Sequence, residues 1–343
     1  MLEILSLPIC KTIVAALSDA ALVVNGAGVI VAANAAAGDV LSGQLEGQQV
    51  ALFLRAPEVL SALSETLAKA VFQQVEIVLH SKVPRTLDVQ LSPLGSDENG
   101  ALALLTFRDR TREAQIERMR SDFVANASHE LRTPLTTLSG FIETMQGAAR
   151  QDEKARGEFL NVMKAQADRM SLLIDDLLSL SRIELDEHLL PDTHVNLVDV
   201  VQQVENLLQS QVKESGSELH IDMPETLLVR GDSNQLAQVF HNLIENALKY
   251  SGTGKRVVVT GRVDQRKGIV SVEDNGPGIA AHHVPRLTER FYRVSVQDSR
   301  MRGGTGLGLA ICKHIVNRHR GKLVIQSVLG KGSSFAVHLP IAE

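Results

Sequence analysis

The segment Ser128-His129-Glu130-Leu131-Arg132-Thr133-Pro134 carries the residues best suited to covalent chemistry. An exposed imidazole titrates near pH 6.5, so around pH 7 it is mostly neutral and keeps a free nitrogen lone pair. It can then act as a nucleophile. Glu130 can take the proton of the other ring nitrogen and strengthen the attacking one. Thr133 stands four residues after His129, on the same helical face, where a hydroxyl can position a water. A lone histidine on a helix is ordinarily a surface or core residue. His129, Glu130 and Thr133 become a catalytic set only through what surrounds them.

Three segments further on have the chemistry of a nucleotide site. Asn242, Asn246 and Lys249 share one face of a helix ending at Tyr250. Amide oxygens can ligate Mg²⁺ and an ammonium can meet phosphate, although an ordinary polar helix face has the same spacing. Asp274-Asn275-Gly276-Pro277-Gly278 follows an apolar strand. Its glycines permit a tight turn against a flat ligand, and Asp274 can accept from an adenine amino group; a plain turn has the same composition. Gly303-Gly304-Thr305-Gly306-Leu307-Gly308 opens a helix, and helix N-termini favour anions. It lacks the lysine-serine ending of a P-loop and the context of a dinucleotide-binding fingerprint.

The elements that must position these residues fall into three regions, which predict an α+β multidomain chain. Residues 1–108 alternate short β-like runs with alanine-rich stretches. Strands are expected at 22–24 and 29–32, as a hairpin, and at 75–79, 86–91 and 102–107. Residues 109–188 hold two long apolar periodicities joined near 147–152, an αα-hairpin that places Phe123, Ala127 and Leu131 on the seam and His129 outside it. Pro134 removes a backbone donor within the first helix and is expected to kink it. One hairpin cannot bury its apolar face alone, so pairing with a second copy into a four-helix bundle is expected, a homodimer. Residues 189–343 read as α/β, with helices over 198–214, 234–250 and 307–318 and strands over 218–222, 227–230, 256–263, 268–273, 322–327 and 334–339.

Composition narrows the function. A net charge of −5, no tryptophan and 3% aromatic residues argue against nucleic-acid binding, which needs basic grooves and stacking rings. Two cysteines far apart, Cys10 and Cys312, offer no disulfide framework or zinc spacing and fit a reducing cytoplasm. The most apolar stretch, 20–37, is broken by Asn25, Gly26, Gly28 and Asn34, so no membrane segment is expected within this chain. A longer form could carry an anchor.

His-Glu-x-x-Thr-Pro on a long αα-hairpin resembles the H-box of the histidine kinase family. Downstream, the asparagine helix, Asp-x-Gly-x-Gly, Phe291-Tyr292-Arg293 and Gly-x-Gly-x-Gly resemble that family's N, G1, F and G2 boxes, in order, and Gly330–Phe335 resembles the closing glycine-rich turn. The segments 285–294, 317–321 and 174–183 are similar to phosphate-regulon sensor kinases. The first region resembles a PAS domain, through Asp19–Val24 and Val31–Asn34, with Asp109-Arg110-Thr111 resembling the junction at which such domains enter a helix. Here Thr111 is expected to cap that helix and Asp109 to pair with an arginine. No haem or flavin site is readable, and His80 is expected at the surface.

The resemblance implies a PAS-like sensor, a dimeric phosphoacceptor bundle and an α/β-sandwich ATP-binding domain with a lid near 294–302. It implies ATP and Mg²⁺ as cofactors, a response regulator as partner, and autophosphorylation of His129 followed by transfer to an aspartate. Thr133 would support removal of phosphoryl from the regulator. Asn246 would be the metal ligand, with Asn242 beside it. Lys249, Tyr250 and Arg293 would contact phosphates or ribose, Asp274, Gly276 and Gly278 would form the adenine end, and Gly304, Thr305, Gly306, Leu307 and Gly308 the phosphate loop. Two alternatives stand beside this. An ATPase of the same superfamily, such as a topoisomerase or chaperone module, needs no exposed histidine on a hairpin. A kinase-silent scaffold needs no intact Asn246, Asp274 and glycine loop.

Overall fold

The computed structural model describes residues 7–79, 84–97, 100–147, 152–186, 188–252, 254, 256–294 and 304–342. The positions of His80 and Gly303, residues 148–151 of the hairpin connection and all of the expected lid except Val294 lie outside them. The chain divides into two compact units, Met1–Asp122 and Phe123–Glu343.

In the first unit, helix α1 (Leu7–Ala16) precedes strands β1 (Ala20–Asn25) and β2 (Ile30–Ala33). Helices α2 (Ala35–Leu41) and α3 (Pro57–Lys69) follow, then strands β3 (Gln73–Leu79), β4 (Arg85–Asp97) and β5 (Gly100–Asp109). The five strands form one sheet ordered β2-β1-β5-β4-β3, and the expected β1–β2 hairpin is antiparallel. Alternation along the strands sends Leu22, Val24, Leu87, Val89, Leu91 and Leu105 to a core shared with α2 and α3, as period-two side chains must. The opposite face receives Cys10 and Val14 of α1, a helix that the sequence reading did not identify. Asn34 holds this corner together. Its Oδ1 accepts from the N–H of Ala21 (3.1 Å) and caps α2 through the N–H of Ala37 (2.9 Å), while its Nδ2 donates to the carbonyls of Leu17 and Asp19 (3.2 and 2.8 Å).

At the end of the unit, the junction differs from expectation. The Asp109 carboxylate takes both the N–H and the hydroxyl of Thr111 (2.9 and 2.5 Å). The Thr111 hydroxyl accepts from the N–H of Thr86 on β4 (2.9 Å). Asp109 therefore satisfies an orphan donor at the helix start, and Thr111 ties that start to the sheet. These bonds, with Arg85 nearby, hold the Asp109 carboxyl below its ordinary range.

Helix α4 (Thr111–Gln146) runs through Pro134 as one element, and α5 (Glu153–Leu185) returns alongside it, capped by Asp152. Phe141 and Phe159 stack across the two helices at 5.0 Å. The rest of the second unit contains helices α6 (Leu197–Ser215), α7 (Ser233–Ser251) and α8 (Gly308–Arg318). Its main sheet contains β7 (Glu218–Asp222), β9 (Arg256–Asp264), β10 (Lys267–Asp274), β11 (Lys322–Val328) and β12 (Gly332–Pro340). The strand order is β11-β12-β10-β9-β7, with β7 parallel to β9. A short pair, β6 (His194–Asn196) and β8 (Leu228–Arg230), stands beside it. Val257, Val259, Val270, Val272, Val337 and Leu339 from the sheet meet Val201, Phe240, Leu243 and Ile311 from the helices in one core. Leu173, Leu180 and Ile183 of α5 belong to that same core, which seats the hairpin on the α/β layer.

His319, just beyond α8, closes this layer. It is 4% exposed. Its Nε2 accepts from the N–H of Asp232 (2.9 Å) and its Nδ1 donates to the carbonyl of Ile315 (2.7 Å). Asp232 in turn caps α7. Burial pushes the imidazole pKa down, with Arg318 adding to the shift and the Ile315 bond and Asp232 opposing it. A histidine whose folded pKa is depressed contributes stability in full above its unfolded value of about 6.5, and loses it as pH falls toward the folded value. Melting temperature should therefore drop between pH 7.5 and 5.5, and His319→Phe should flatten that step. The variant leaves the Asp232 N–H without an acceptor, so thermal melts at pH 7.5 should also show a loss of about 1–3 kcal/mol.

Candidate functional site

A cleft of about 350 Å³ opens between α7, the ends of β10 and β12, the start of α8 and the side of α5, within the size range of small-molecule sites. It brings together Asn242, Asn246, Lys249, Tyr250, Asp274, Gly278, Arg293, Gly304, Thr305, Gly306 and Gly308. Gly276 and Leu307, also expected here, do not line it. Gly276 supports the turn from behind, where an added Cβ would stand 2.7 Å from the Ser251 backbone. Leu307 is fully buried in the core, and only its N–H faces the loop, donating to the Thr305 hydroxyl at 3.2 Å.

At one end of the cleft, the Asp274 carboxylate accepts from the N–H of Gly276 (2.9 Å). Burial raises its pKa, opposed by that bond and by the backbone and hydroxyl of Ser333. Gly278 has φ +68°, and a Cβ there would sit 2.1 Å from the Val328 carbonyl oxygen. The Asp274–Gly278 turn is thus pressed against the β11–β12 hairpin, and only glycine fits at 278.

The other end is polar. Asn242 donates to the Gly308 carbonyl at 3.4 Å. Lys249 pairs with Glu245 at 3.0 Å. Arg293 donates to the Gly304 carbonyl at 2.6 Å and pairs with Glu130 at 3.3 Å. Glu130 also pairs with Arg169 of α5 at 3.0 Å. The Arg293 side chain is 7% exposed, and burial pulls its pKa down while Glu130 pulls it back up. Asp176 of α5 accepts from the Thr305 hydroxyl at 2.6 Å. Its own pKa is raised by burial and by neighbouring Asp175 and Glu245, against the pull of Thr305 and Lys249.

His129 is exposed on α4 and is not among the cleft's lining residues. Thr133 is exposed one turn on, its hydroxyl donating to the His129 carbonyl at 3.2 Å. Phe123 packs on Phe291 at 5.9 Å, with Arg290 over its ring at 5.2 Å, so helix α4 lies against the Phe-Tyr-Arg segment. Sequence reasoning missed Asp176, Glu245, Ile279, Ser333 and Phe335, which also line the cleft. Ser333 and Phe335 carried a signal, since both fall in the glycine-rich turn Gly330–Phe335.

Among the described residues, no His, Cys, Asp and Glu cluster forms a metal site. Asn246 lines the cleft and offers an amide oxygen, a hard donor of the kind that Mg²⁺ takes.

Three family models match the chain. They are the PAS fold over residues 14–115, the His Kinase A (phospho-acceptor) domain over 119–186, and the histidine kinase-, DNA gyrase B- and HSP90-like ATPase over 231–343. The chain belongs to the sensor histidine kinases. It is 39% identical over 240 residues to the phosphate regulon sensor protein PhoR of Pseudomonas aeruginosa, a match covering 70% of this chain and 54% of that protein. To the sensor protein kinase WalK of Staphylococcus saprophyticus it is 37% identical over 243 residues, covering 70% of this chain and 39% of that protein. The match thus spans about half or less of these curated relatives. The histidine kinase AdeS of Acinetobacter baumannii superposes with a TM-score of 0.50 at 28% identity, over 63% of this chain and 98% of AdeS. The histidine kinase ThkA, solved in complex with the response regulator TrrA, shares the fold at TM-score 0.53 and 20% identity, over 97% of this chain and 98% of ThkA.

Gly278→Ala should lower the melting temperature by several degrees and weaken binding of the ATP analogue AMP-PNP, because its Cβ meets backbone that cannot step aside. Gly140→Ala, on α4 with nothing within 4 Å of an added Cβ, should be neutral or stabilise by up to about 1 kcal/mol. Thermal melts and calorimetric titration of the two variants check both.

Proposed function

We propose that the chain is an ATP-dependent protein-histidine kinase of a two-component system. His129 is its phosphoacceptor and a response-regulator aspartate its downstream target. The observation that carries the reading is the Glu130–Arg293 contact at 3.3 Å, which sets the neighbour of an exposed histidine against an arginine of the nucleotide cleft. In the reaction, a ring nitrogen of His129 attacks the γ-phosphorus of ATP. The bond to the β,γ-bridging oxygen breaks and ADP leaves. Glu130 takes the proton from the other ring nitrogen. Asn246, with Asn242 beside it, would hold Mg²⁺, which supplies charge neutralisation to the phosphates when bound. Lys249, Tyr250 and Arg293 meet phosphate or ribose, and Asp274, within the Gly276–Gly278 turn, accepts from the adenine amino group. Gly304, Thr305, Gly306 and Gly308 surround the phosphates, with Leu307 buried beneath them.

His129 stands outside the cleft, so the catalytic domain has to move for transfer. We assign residues 1–108 to a PAS-like sensor, 109–188 to the dimerisation and phosphotransfer hairpin and 189–343 to the catalytic domain. Leu135, Ile142, Leu160 and Leu178 of the hairpin are 41–54% exposed, the surface a second copy would cover in a homodimer. The regulator takes the phosphoryl group onto its own aspartate at the same histidine; ThkA, of the same fold, was solved with a response regulator bound. Thr133, on the His129 face, supports a water for the reverse, phosphatase reaction. Among the described residues, no helix is long and apolar enough to cross a membrane. The phosphate-regulon role rests on the 39% identity to PhoR, and the 37% identity to WalK weighs nearly equally. Phosphotransfer to candidate regulators of each type decides between them.

Incubation with γ-labelled ATP should give an acid-labile, alkali-stable phosphoprotein. His129→Ala should remove the label while AMP-PNP still binds, and label persisting in that variant would sink the assignment. Thr133→Ala should slow regulator dephosphorylation at least tenfold more than autophosphorylation, in rough keeping with the worth of a positioned group. Equal losses would make Thr133 structural. Sedimentation equilibrium should give twice the chain mass of 37.2 kDa, and Ile142→Glu should return it to the monomer value.

A further inference from the structure

The nucleotide cleft is not built from the catalytic domain alone. Asp176 lies on α5, yet its carboxylate accepts from the Thr305 hydroxyl at 2.6 Å, and that hydroxyl receives the N–H of Leu307 at 3.2 Å, just before α8. The start of a helix is where backbone N–H groups favour an anion. Asp176 therefore places an anionic group against the loop that is to receive phosphate. A second observation is independent of it. Arg293, 7% exposed and lining the cleft, is met by the Glu130 carboxylate, while its Nε is buried with no hydrogen-bond partner. A buried donor of this kind calls for an acceptor, and a phosphate in the cleft is of the right chemistry to supply one. Two groups that the nucleotide reading directs at phosphate are thus each met by a carboxylate of the helical hairpin.

We propose that Asp176 is a built-in competitor of the nucleotide phosphates. The inference rests on the nucleotide reading given above and adds a residue of the hairpin to it. A carboxylate and a phosphate oxygen cannot both crowd the Thr305 hydroxyl, because like charges about 4 Å apart repel strongly where water is scarce. Triphosphate binding breaks the Asp176–Thr305 bond and loosens the polar part of the contact between α5 and the catalytic domain. The linkage is reciprocal: whatever docking of α5 costs the triphosphate, the triphosphate costs docking. Filling the cleft is then also the event that frees Arg293 from Glu130, and Glu130 for His129. Adenosine, which has no phosphates, should bind without disturbing the contact.

The test is calorimetric titration of the full chain with AMP-PNP and with adenosine. Asp176→Asn keeps the shape and an oxygen acceptor but removes the charge. It should tighten AMP-PNP binding about tenfold and leave adenosine unchanged. AMP-PNP affinity that is unchanged or weaker, with adenosine still bound, overturns the competitor role and leaves the nucleotide reading standing. Failure of the wild-type chain to bind either ligand removes both. A second measurement does not depend on that variant. Ser179 of α5 and Gln238 of α7 hydrogen-bond at 3.1 Å, and both native cysteines are buried. Ser179→Cys with Gln238→Cys, joined by a short cleavable cross-linker, holds Asp176 over the loop. The joined form should bind AMP-PNP several-fold more weakly than adenosine binding predicts, and cleavage should restore affinity. Equal affinity before and after cleavage overturns the proposal.

Discussion

A guanidinium stays charged in any protein environment, so burying one obliges its surroundings to supply acceptors. In the second unit Arg293 meets that requirement with the Gly304 carbonyl and Glu130. Glu130 in turn draws in Arg169. This short chain of charges joins both helices of the hairpin to the Phe-Tyr-Arg segment and to the glycine loop. Glu130 therefore has two possible duties, as counter-ion to Arg293 and as proton acceptor beside His129. A single carboxylate satisfies both only in turn. A phosphate is the natural replacement for it at Arg293, since guanidinium matches phosphate as well as carboxylate.

The loop beside Arg293 is shaped by backbone contact rather than by side chains. Gly306 has φ +78°, and a Cβ there would lie 2.9 Å from the backbone of Phe291. The N–H of Phe291 donates to the Gly306 carbonyl at 2.8 Å. The Phe-Tyr-Arg segment and the glycine loop are thus tied backbone to backbone at this point. His283, whose ring meets the Tyr292 hydroxyl at 2.6 Å, steadies the other side of the same segment.

Much of this was legible in the sequence because it is local. The His129 motif, the asparagine spacing on α7 and the two glycine clusters are short-range patterns, and the strands and long helices follow from period-two and period-3.6 burial. What stayed hidden is tertiary. Asp176 reads as one of an adjacent acidic pair, Asp175 and Asp176, on a long amphipathic helix with further acidic residues, and nothing near it in sequence points to Thr305. The partners of Glu130 lie 39 and 163 residues away. Adjacency placed Glu130 beside His129, and it could not reveal the two arginines, Arg169 and Arg293, that meet its carboxylate. The cap assigned to Thr111 went astray for a similar reason: its hydroxyl found the N–H of Thr86 on β4, leaving Asp109 to satisfy the helix start. Helix α1 escaped notice because its burial depends on the sheet face that it covers.

The contact between hairpin and catalytic domain has two unlike parts. Leu173, Leu180 and Ile183 of α5 are buried in the main core, at about 1.5–3 kcal/mol each for a fully buried aliphatic side chain. Around Glu130, Asp176 and Ser179, the contact is made of ion pairs and hydrogen bonds, with Arg169 and Glu130 still 17–18% exposed. Water and phosphate can compete for polar contacts of this kind at little net cost, but nothing replaces the apolar ones. The physics therefore favours a joint that pivots rather than separates: the aliphatic contacts hold, the polar contacts exchange partners, and the exchange is biased by whichever anion occupies the cleft. A fully apolar interface would hold the domain too firmly for the nucleotide to reach His129, and a fully polar one would not define where the domain returns.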